Sequence, residues 1–518
     1  MESKAPEHLG NVAASRQQAK VPQWVWWLLV PLMLVLTLIP WAVAAPLGGA
    51  PDSDFHLNTI LCVQGDRPGL CEHVSDTEVR VNADTELFYC HAKNVADAPL
   101  CYDEGAAANP ETTVTKRWNY NGVYPNGYFL FHSLHASPDL TLTVMSTRIL
   151  NVVLISGLLG VLGGLLAPRQ RMNLWLAFLV TSVPLGLSIL SSINPSAWSI
   201  PAPLMAFFAV RGALLSSGKR RLGLWAMAGL AAILGASSRT DALVFVALAV
   251  VAALFLHFDF KRSDLRNAVK IGLGLGSLLL VGVIILVVTG RVMQAPVIGN
   301  LAASLQGDPP AGVQPRKVIF ENFLNIPDYL MGVFGLWPLG LLEIQLPRLV
   351  PAVFFGIFLA MMTLALLGTT WKTNLVLVFL AVLGFLMPLL MLFYTKATVG
   401  VWVQPRYLLP LIALFAGVAL FDFSAREHLP LVHRVVILIA ASGAHLAAFG
   451  TVVRRYWQGM DFQSGEQTWW WDGAPGPVFN IVLAGGAFLA FTASVLLGPA
   501  IPRAQASESE PFSEVGKE

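Results

Sequence analysis

The sequence predicts an all-α integral membrane protein, a polytopic bundle of about twelve transmembrane helices with a large first exterior loop. Three observations carry that prediction. Of the 518 residues, 55% are hydrophobic and only 12% charged, against roughly 25% charged in an average soluble domain. The mean hydropathy is +0.63. Apolar runs that approach the about 20 residues needed to cross a hydrocarbon core recur along the chain.

Those runs cover residues 23–45, 142–166, 173–191, 198–215, 223–237, 241–258, 269–289, 347–369, 374–394, 405–422, 434–452 and 477–498. The fifth is the shortest. The first is too long for the apolar core of a cleaved signal peptide, and residues 44–49 lead straight into an acidic motif, so it is expected to stay as a helix. Residues 1–22 and 499–518 read as polar, disordered cytoplasmic tails flanking a membrane domain over 23–498.

Orientation follows from where short loops keep Lys and Arg. With the N-terminus inside, the cytoplasmic pieces carry Lys4, Arg16 and Lys20; Arg169 and Arg171; Lys219, Arg220 and Arg221; Lys261, Arg262, Arg266 and Lys270; Lys372; and Arg426 and Arg434. Every one is basic. The exterior then receives the long segments 46–141 and 290–346, with shorter turns at 192–197, 238–240, 395–404 and 453–476. Both termini are expected in the cytoplasm, with the chain in a bacterial cytoplasmic membrane.

All four cysteines, Cys62, Cys71, Cys90 and Cys101, fall in the first exterior loop. An even count in an exported loop reads as a disulfide framework, and local pairing of Cys62 with Cys71 and Cys90 with Cys101 is one of three connectivities. Their spacing is unlike the short Cys-x-x-Cys hooks of zinc sites. The net charge of +2 does not suggest nucleic acid. Neither a Walker P-loop nor a Gly-rich dinucleotide fingerprint is present.

Charged residues near a bilayer are expensive and tend to mark function or pairing. On the topology above they gather on the exterior: Asp52, Asp54 and His56 after the first segment, Asn194 after the third, Arg239 and Asp241 between the fifth and sixth, Arg291 after the seventh, and Lys396 and Arg406 before the tenth. Exterior cations run against the inside bias, and an anionic ligand is a reason for them. Plainer roles compete. Asp52 or Asp54 could cap a helix starting near Phe55, Arg239 and Asp241 could be a structural couple, and Arg406 could snorkel to headgroups. The run Trp469–Trp471 fits an interfacial belt better than a sugar platform.

A carboxylate beside cations at the outer face suits transfer of a group from an anionic, lipid-linked donor. The acid takes the proton of the attacking hydroxyl, and Arg or Lys stabilises the leaving phosphate. No nucleotide-sugar pool exists outside the cell, so a glycosyl donor there would arrive on a polyprenyl phosphate. In an extended stretch Asp52 and Asp54 would point the same way and could share a divalent cation, the only cofactor the sequence suggests.

Four stretches carry a resemblance to a family: "PDSDFH" (51–56), "YPNGYFLF" (124–131), "YLMGVFGLWPLGLLEIQLP" (329–347) and "VQPRYLLPL" (403–411). They are similar, in turn, to a P-D-E-x-x-H after the first helix, a P-x-x-Y stretch before the second, a Gly-Phe-Gly-Trp loop and a G-R-Y-x-x-P. The sequence resembles the bacterial predicted membrane proteins grouped as domain of unknown function 2142, themselves similar to the GT-C superfamily of polytopic glycosyltransferases that use lipid-linked donors. Ser53 stands where the family has Glu, and Pro405 replaces the Gly before Arg406. The resemblance implies Asp52 as catalytic carboxylate with His56 beside it, Arg406 and Tyr407 as donor-phosphate contacts, and a first exterior loop running partly along the membrane.

The expectation is therefore an inverting glycosyltransferase of the outer face, with a polyprenyl-phosphate sugar as donor and an envelope glycan, lipid or protein as acceptor. Asp52 is the first choice of base and Asp54 the second. Lys396, Arg239 and Arg291 join Arg406 and Tyr407 as phosphate contacts, and Asn194 and Asp241 support them. A transporter or flippase of envelope lipids is the rival, but no internal repeat is visible. A channel would need polar residues at several depths. A non-catalytic assembly partner remains a third reading, favoured if the exterior acids and cations lie far apart.

Overall fold

The computed structural model describes residues 23–86, 111–258, 315–395, 399, 404–424, 429–460, 469–470 and 475–498. Arg291, Lys396, Cys90, Cys101 and the apolar run 269–289 lie outside them, as do both expected tails.

The helices in chain order are α1 (Gln23–Ala44), α2 (Ser53–Cys62), α3 (Gly127–Ser133), α4 (Leu140–Leu165), α5 (Pro168–Val180), α6 (Pro184–Leu190), α7 (Ser196–Ser199), α8 (Ala202–Leu214), α9 (Gly218–Ser238), α10 (Thr240–His257), α11 (Pro315–Met331), α12 (Leu349–Leu366), α13 (Trp371–Thr395), α14 (Leu409–Leu420), α15 (Leu431–Gln458) and α16 (Pro477–Leu497). Eleven of the apolar runs fall on these helices. Among the described residues, eight helices are long and apolar enough to span a membrane, or nine if one bent pair counts as a span. Of the other expected segments, 269–289 lies outside the described residues, while 28–44, a part of the 22-residue α1, and 405–420 are shorter apolar stretches.

Backbone groups in lipid must bond within their own segment, which is why continuous apolar sequence becomes helix here. The stretch Ser196–Leu214 is 89% buried while most of the other spans are less than half buried. A helix apolar on every side belongs in a core, and α8 accordingly packs against α9, α10 and α14, while α1 packs against α4 and α16.

The third apolar run breaks in the middle. Pro184 lacks the N–H that would continue the helix, and α5 and α6 meet at a bend of 102°. The result places Ser188, Ser191 and Ser192 beside protein, where α6 ends next to α1.

Arg148, 1% exposed within α4, gathers the end of α1. Its Nη1 donates to the carbonyls of Ala42 at 2.9 Å and Ala45 at 2.6 Å, and its Nη2 to Pro46 at 2.8 Å. Helix C-termini leave carbonyls without partners, and a cation there satisfies them and complements the dipole. The chain is thereby fixed as it leaves the bilayer toward Asp52.

The first long loop adds a small sheet to the all-α architecture that the sequence predicts. Residues 72–73, 79–82 and 112–115 form a three-stranded antiparallel sheet, β1 (Glu72–His73), β2 (Val79–Asn82) and β3 (Thr112–Thr115), in the order β1-β2-β3. Val79 pairs with both His73 and Thr115. Val79 and Val81 point inward and Arg80 and Asn82 do not, the alternation of a half-buried strand. The Cys62–Cys71 disulfide joins the end of α2 to this sheet, as the cysteine spacing suggests.

The short helix α3 lies on the end of α9 with no room between them. A Cβ on Gly127 would collide with the Ser237 side chain and come within 3.2 Å of its backbone. Replacing Gly127 by Val is expected to destabilise the protein by about 1–3 kcal/mol, the usual cost of overpacking. A thermal melt of the purified protein in lipid nanodiscs measures it, and an unchanged midpoint would contradict the packing described.

Candidate functional site

The turn after α1 places Asp52 in the left-handed region, φ 58° and ψ 23°. Few side chains tolerate that conformation, and Asp is among those that do. The turn is locked from three directions. Ser53 Oγ accepts from Ala50 N at 3.2 Å and donates to Ala50 O at 2.6 Å, His56 N donates to Asp52 O at 3.0 Å, and Asn194 Nδ2 donates to Pro51 O at 3.1 Å. Asp52 occupies the position before α2, yet its carboxylate makes no capping hydrogen bond. It turns outward to another part of the chain.

That partner is Arg406, 354 residues away, whose Nη2 donates to Asp52 Oδ2 at 2.7 Å. The Asp52 side chain is 41% exposed and the Arg406 side chain 4%. Arg406 sits on the turn Pro405–Leu408 ahead of α14. Tyr329 Oη donates to Gln404 O at 2.7 Å, and Pro405 presses on Gly332, where a Cβ would lie 2.6 Å from its ring. Arg406 is thus held from behind and does not snorkel. Its Nε and Nη1 are buried with no hydrogen-bond partner among the described residues.

Tyr407 joins two cations. The guanidinium of Arg406 lies 5.3 Å from its ring centroid and that of Arg239 4.8 Å. Arg239 also stands 5.5 Å from the Tyr124 ring. Its Nε and Nη2 each reach a different oxygen of Asp241 at 2.9 Å, so the couple read from the sequence exists and also belongs to this cluster.

His56 is wholly buried, and neither ring nitrogen has a hydrogen-bond partner. Its ring stacks on Phe129 with centroids 5.8 Å apart and meets Tyr124 edge-on at 5.1 Å. Burial pushes its pKa down to about 3, with the Asp52 charge acting in the opposite sense and Arg406, Arg239 and Arg117 adding to the depression. Burial raises the Asp52 carboxyl, but Arg406 and the other neighbours outweigh it and hold that group below its ordinary value. Asp52 is ionised and His56 neutral at pH 7.

Asp54 differs from the expectation. Residues 52–54 are not extended, because Asp54 is in the first turn of α2 and faces away from Asp52's partner. Arg117 takes it with Nε to Oδ2 at 2.6 Å and Nη2 to Oδ1 at 3.0 Å. The Asp54 side chain is 2% exposed. Each carboxylate has its own arginine, and among the described residues no group of three His, Cys, Asp or Glu side chains is placed to hold a metal ion. Arg117 carries no local signal beyond being a basic residue in an exterior loop. Trp469 and Trp470 are half-buried, and Trp471 lies outside the described residues.

A small cavity lies beside Arg406, walled by Pro51, Trp337 and Gln404. In the loop carrying Trp337, Gly335 has φ 114° and Gly340 φ 66°, a region that glycine enters without strain. A buried guanidinium with two nitrogens unpaired among the described residues, its charge shared with one partly exposed carboxylate, is suited to holding an anion.

His56, and His132 on α3 whose pKa burial also lowers to about 3, give a pH dependence. Below pH 6.5 the unfolded chain takes protons that the folded one refuses, so stability is full above 6.5 and falls as the pH drops toward 3. The expected slope is about 1.4 kcal/mol per pH unit for each histidine. Melts between pH 7.5 and 5 should show the midpoint falling, with a shallower fall in His56→Phe. Equal slopes in the two proteins would remove His56 from this account.

No curated protein and no solved structure matches the chain. A family model does match, over residues 34–415, a span that begins within α1, includes Asp52, Asp54, His56, Arg239 and Arg406, and ends in α14. The chain belongs to the family of predicted membrane proteins described as DUF2142.

Proposed function

We propose that the protein is a membrane glycosyltransferase of the GT-C type, moving a sugar from a polyprenyl-phosphate donor to a hydroxyl of a cell-envelope acceptor on the exterior face. The observation that carries this reading is the contact between Asp52 and Arg406, a partly exposed carboxylate and a buried guanidinium whose Nε and Nη1 have no partner among the described residues. Acids and cations remote in the chain lie within hydrogen-bond reach, where a non-catalytic assembly partner would not need them.

The donor phosphate binds Arg406 through Nε and Nη1, with Arg239 adding positive potential through Tyr407. Occupying the guanidinium weakens its hold on Asp52, and the phosphate adds negative charge nearby. Both effects raise the carboxylate's pKa toward that of a useful base. Asp52 then takes the acceptor's hydroxyl proton as that oxygen forms a bond to the anomeric carbon. The bond from that carbon to the phosphate oxygen breaks, and its electron pair leaves with polyprenyl phosphate. Attack opposite the leaving group inverts the anomeric centre. Neutral His56, wedged between aromatic rings, supports the wall beside Asp52. Asp54 serves the fold through Arg117, and Asn194 holds the turn at Pro51. A flippase would move the same anionic lipid with Arg406 but would have no use for an ionised, partly exposed Asp52 beside it.

Asp52→Asn is expected to lower the rate of sugar transfer per folded molecule by about 10²–10⁴-fold, the range of a lost general base, and to lower the melting temperature as well, because Arg406 loses its counter-charge. Asp54→Asn is expected to cost about 1.5–3 kcal/mol of stability for a weakened charged hydrogen bond while transfer per folded molecule persists. Transfer is followed with envelope lipid extracts supplying donor and acceptor. Full activity in Asp52→Asn would remove it from the mechanism, and accumulation of donor in cells carrying that variant would name the sugar.

A further inference from the structure

The end of a membrane span is where a chain meets lipid head groups, and α12 and α13, both long and apolar enough to cross a bilayer, are joined by a short turn over residues 367–370. A cavity of about 160 Å³ lies between that turn, the end of α14 and the start of α5. An apolar cavity of about 150 Å³ is enough to hold a molecule the size of benzene. The twelve residues of α14, roughly 18 Å of helix, stand between this cavity and Arg406, so it belongs to the other end of the bundle from Asp52. Leu367 and Trp371, on and next to the turn, are well exposed, and tryptophan favours the boundary between lipid and water.

The lining carries opposite charges that do not meet. Arg169, at the start of α5, donates through Nε to Phe423 O at 3.3 Å and through Nη2 to Asp422 O. Both bonds go to main-chain carbonyls just past the end of α14, where a helix leaves such groups without partners. The Asp422 carboxylate is mostly exposed, and the cation paired with it among the described residues is Arg211, whose Nη2 lies 4.0 Å from Oδ2. Among the described residues no ion pair joins Arg169 to that carboxylate, although both residues line one cavity. Thr369, Thr370 and Thr373 bring hydroxyls to the same wall. Thr370 Oγ1 accepts from Thr373 N at 3.3 Å and lies 3.0 Å from Thr373 Oγ1. One proton serves the contact between the two hydroxyls, and the other hydroxyl keeps its own to give. A phosphate calls for a cation and O–H donors, a primary ammonium calls for acceptors, and this lining presents both. A quaternary ammonium calls for a cage of aromatic faces, and Phe423 is the single aromatic residue in the lining.

We infer that this cavity binds the head group of a phospholipid bearing a primary ammonium, with the phosphate on Arg169 and the threonine hydroxyls and the ammonium on Asp422. A phosphoethanolamine head, of about eight non-hydrogen atoms, is near the size that such a volume admits. Its acyl chains continue along the apolar sides of α12 and α13, where Leu366 and Leu375 are exposed. A dipolar ligand answers two charges that the fold leaves apart, and by bridging the turn after α12 and the end of α14 it ties these elements together. The assignment is independent of the transferase reading. The same head group free in water, as glycerophosphoethanolamine, carries the same charges, and one binding experiment separates the two sources.

Full-length protein, delipidated in detergent, is titrated with short-chain phosphatidylethanolamine, phosphatidylcholine and phosphatidylglycerol and with glycerophosphoethanolamine, and the bound molecules are counted by native mass spectrometry. The variants are Asp422→Asn, Arg169→Gln and Thr373→Val. The last keeps the shape and loses the hydroxyl, so it reads the phosphate side should Arg169→Gln fail to fold. A lipid site predicts phosphatidylethanolamine bound about tenfold more tightly than either other lipid. The gap over phosphatidylcholine should vanish in Asp422→Asn, and the affinity for phosphatidylethanolamine should fall severalfold in Arg169→Gln or Thr373→Val. Glycerophosphoethanolamine bound as tightly as the lipid, with the same dependence on Asp422, upholds the head-group chemistry and overturns the lipid as its source. Phosphatidylglycerol binding best, equal binding of the three lipids, or a preference for phosphatidylethanolamine that survives in Asp422→Asn overturns the inference.

Discussion

A guanidinium taken out of water must be paired, because an uncompensated buried charge costs several kcal/mol. Arg406 meets that constraint with a single carboxylate oxygen, and the arrangement of the outer face follows from it. Asp52 can reach Arg406 only because its backbone turns into the left-handed region. That turn depends on Ser53, on Asn194 and on the end of α1 being drawn in by Arg148. On the other side Arg406 is fixed by Pro405 against Gly332 and by Tyr329. Residues from four distant stretches therefore settle one ion pair, and the pairing leaves part of the arginine unsatisfied. A fully satisfied pair would be a structural rivet. This one keeps binding capacity in reserve.

The second arginine of the cluster has a different balance. Arg239 gives two N–H groups to Asp241 and a face each to Tyr407 and Tyr124. Its charge is met by that carboxylate and by the negative faces of the rings. Arg117 is tied to Asp54 in a bidentate pair and is half exposed. Of the three acid–arginine pairs near α2, only that of Asp52 and Arg406 joins its partners through a single arginine nitrogen.

Much of this was legible in the chain because charge stands out against an apolar background. Asp52, Arg406, Arg239 and Asp241 were visible as groups that had no reason to be near lipid. Their meeting was not deducible from position, since nothing local to "PDSDFH" points 354 residues ahead. The shared direction expected of Asp52 and Asp54 came from strand alternation applied where a helix starts. Arg117 and Arg148 escaped notice because an arginine's role depends on which carboxylate or carbonyls the fold brings to it. The apolar runs located eleven helices well, yet hydropathy alone does not register the break at Pro184. The small sheet was missed because strands of two to four residues leave little periodicity, and the bridge between Cys62 and Cys71 was one of three connectivities that four cysteines allow.

The break between α5 and α6 has a consequence for assembly. Seven residues of helix ending in a row of serines cannot rest stably in hydrocarbon by themselves, whereas α4 or α16 can insert as independent spans. The piece from Pro184 to Ser192 is therefore stable only as a plug seated among neighbours already in the bilayer, and α1, its companion in packing, comes from the opposite end of the insertion order to α14, α15 and α16. The hydroxyls it carries border the same space as Val452 and Tyr456 of α15, near the other end of the chain.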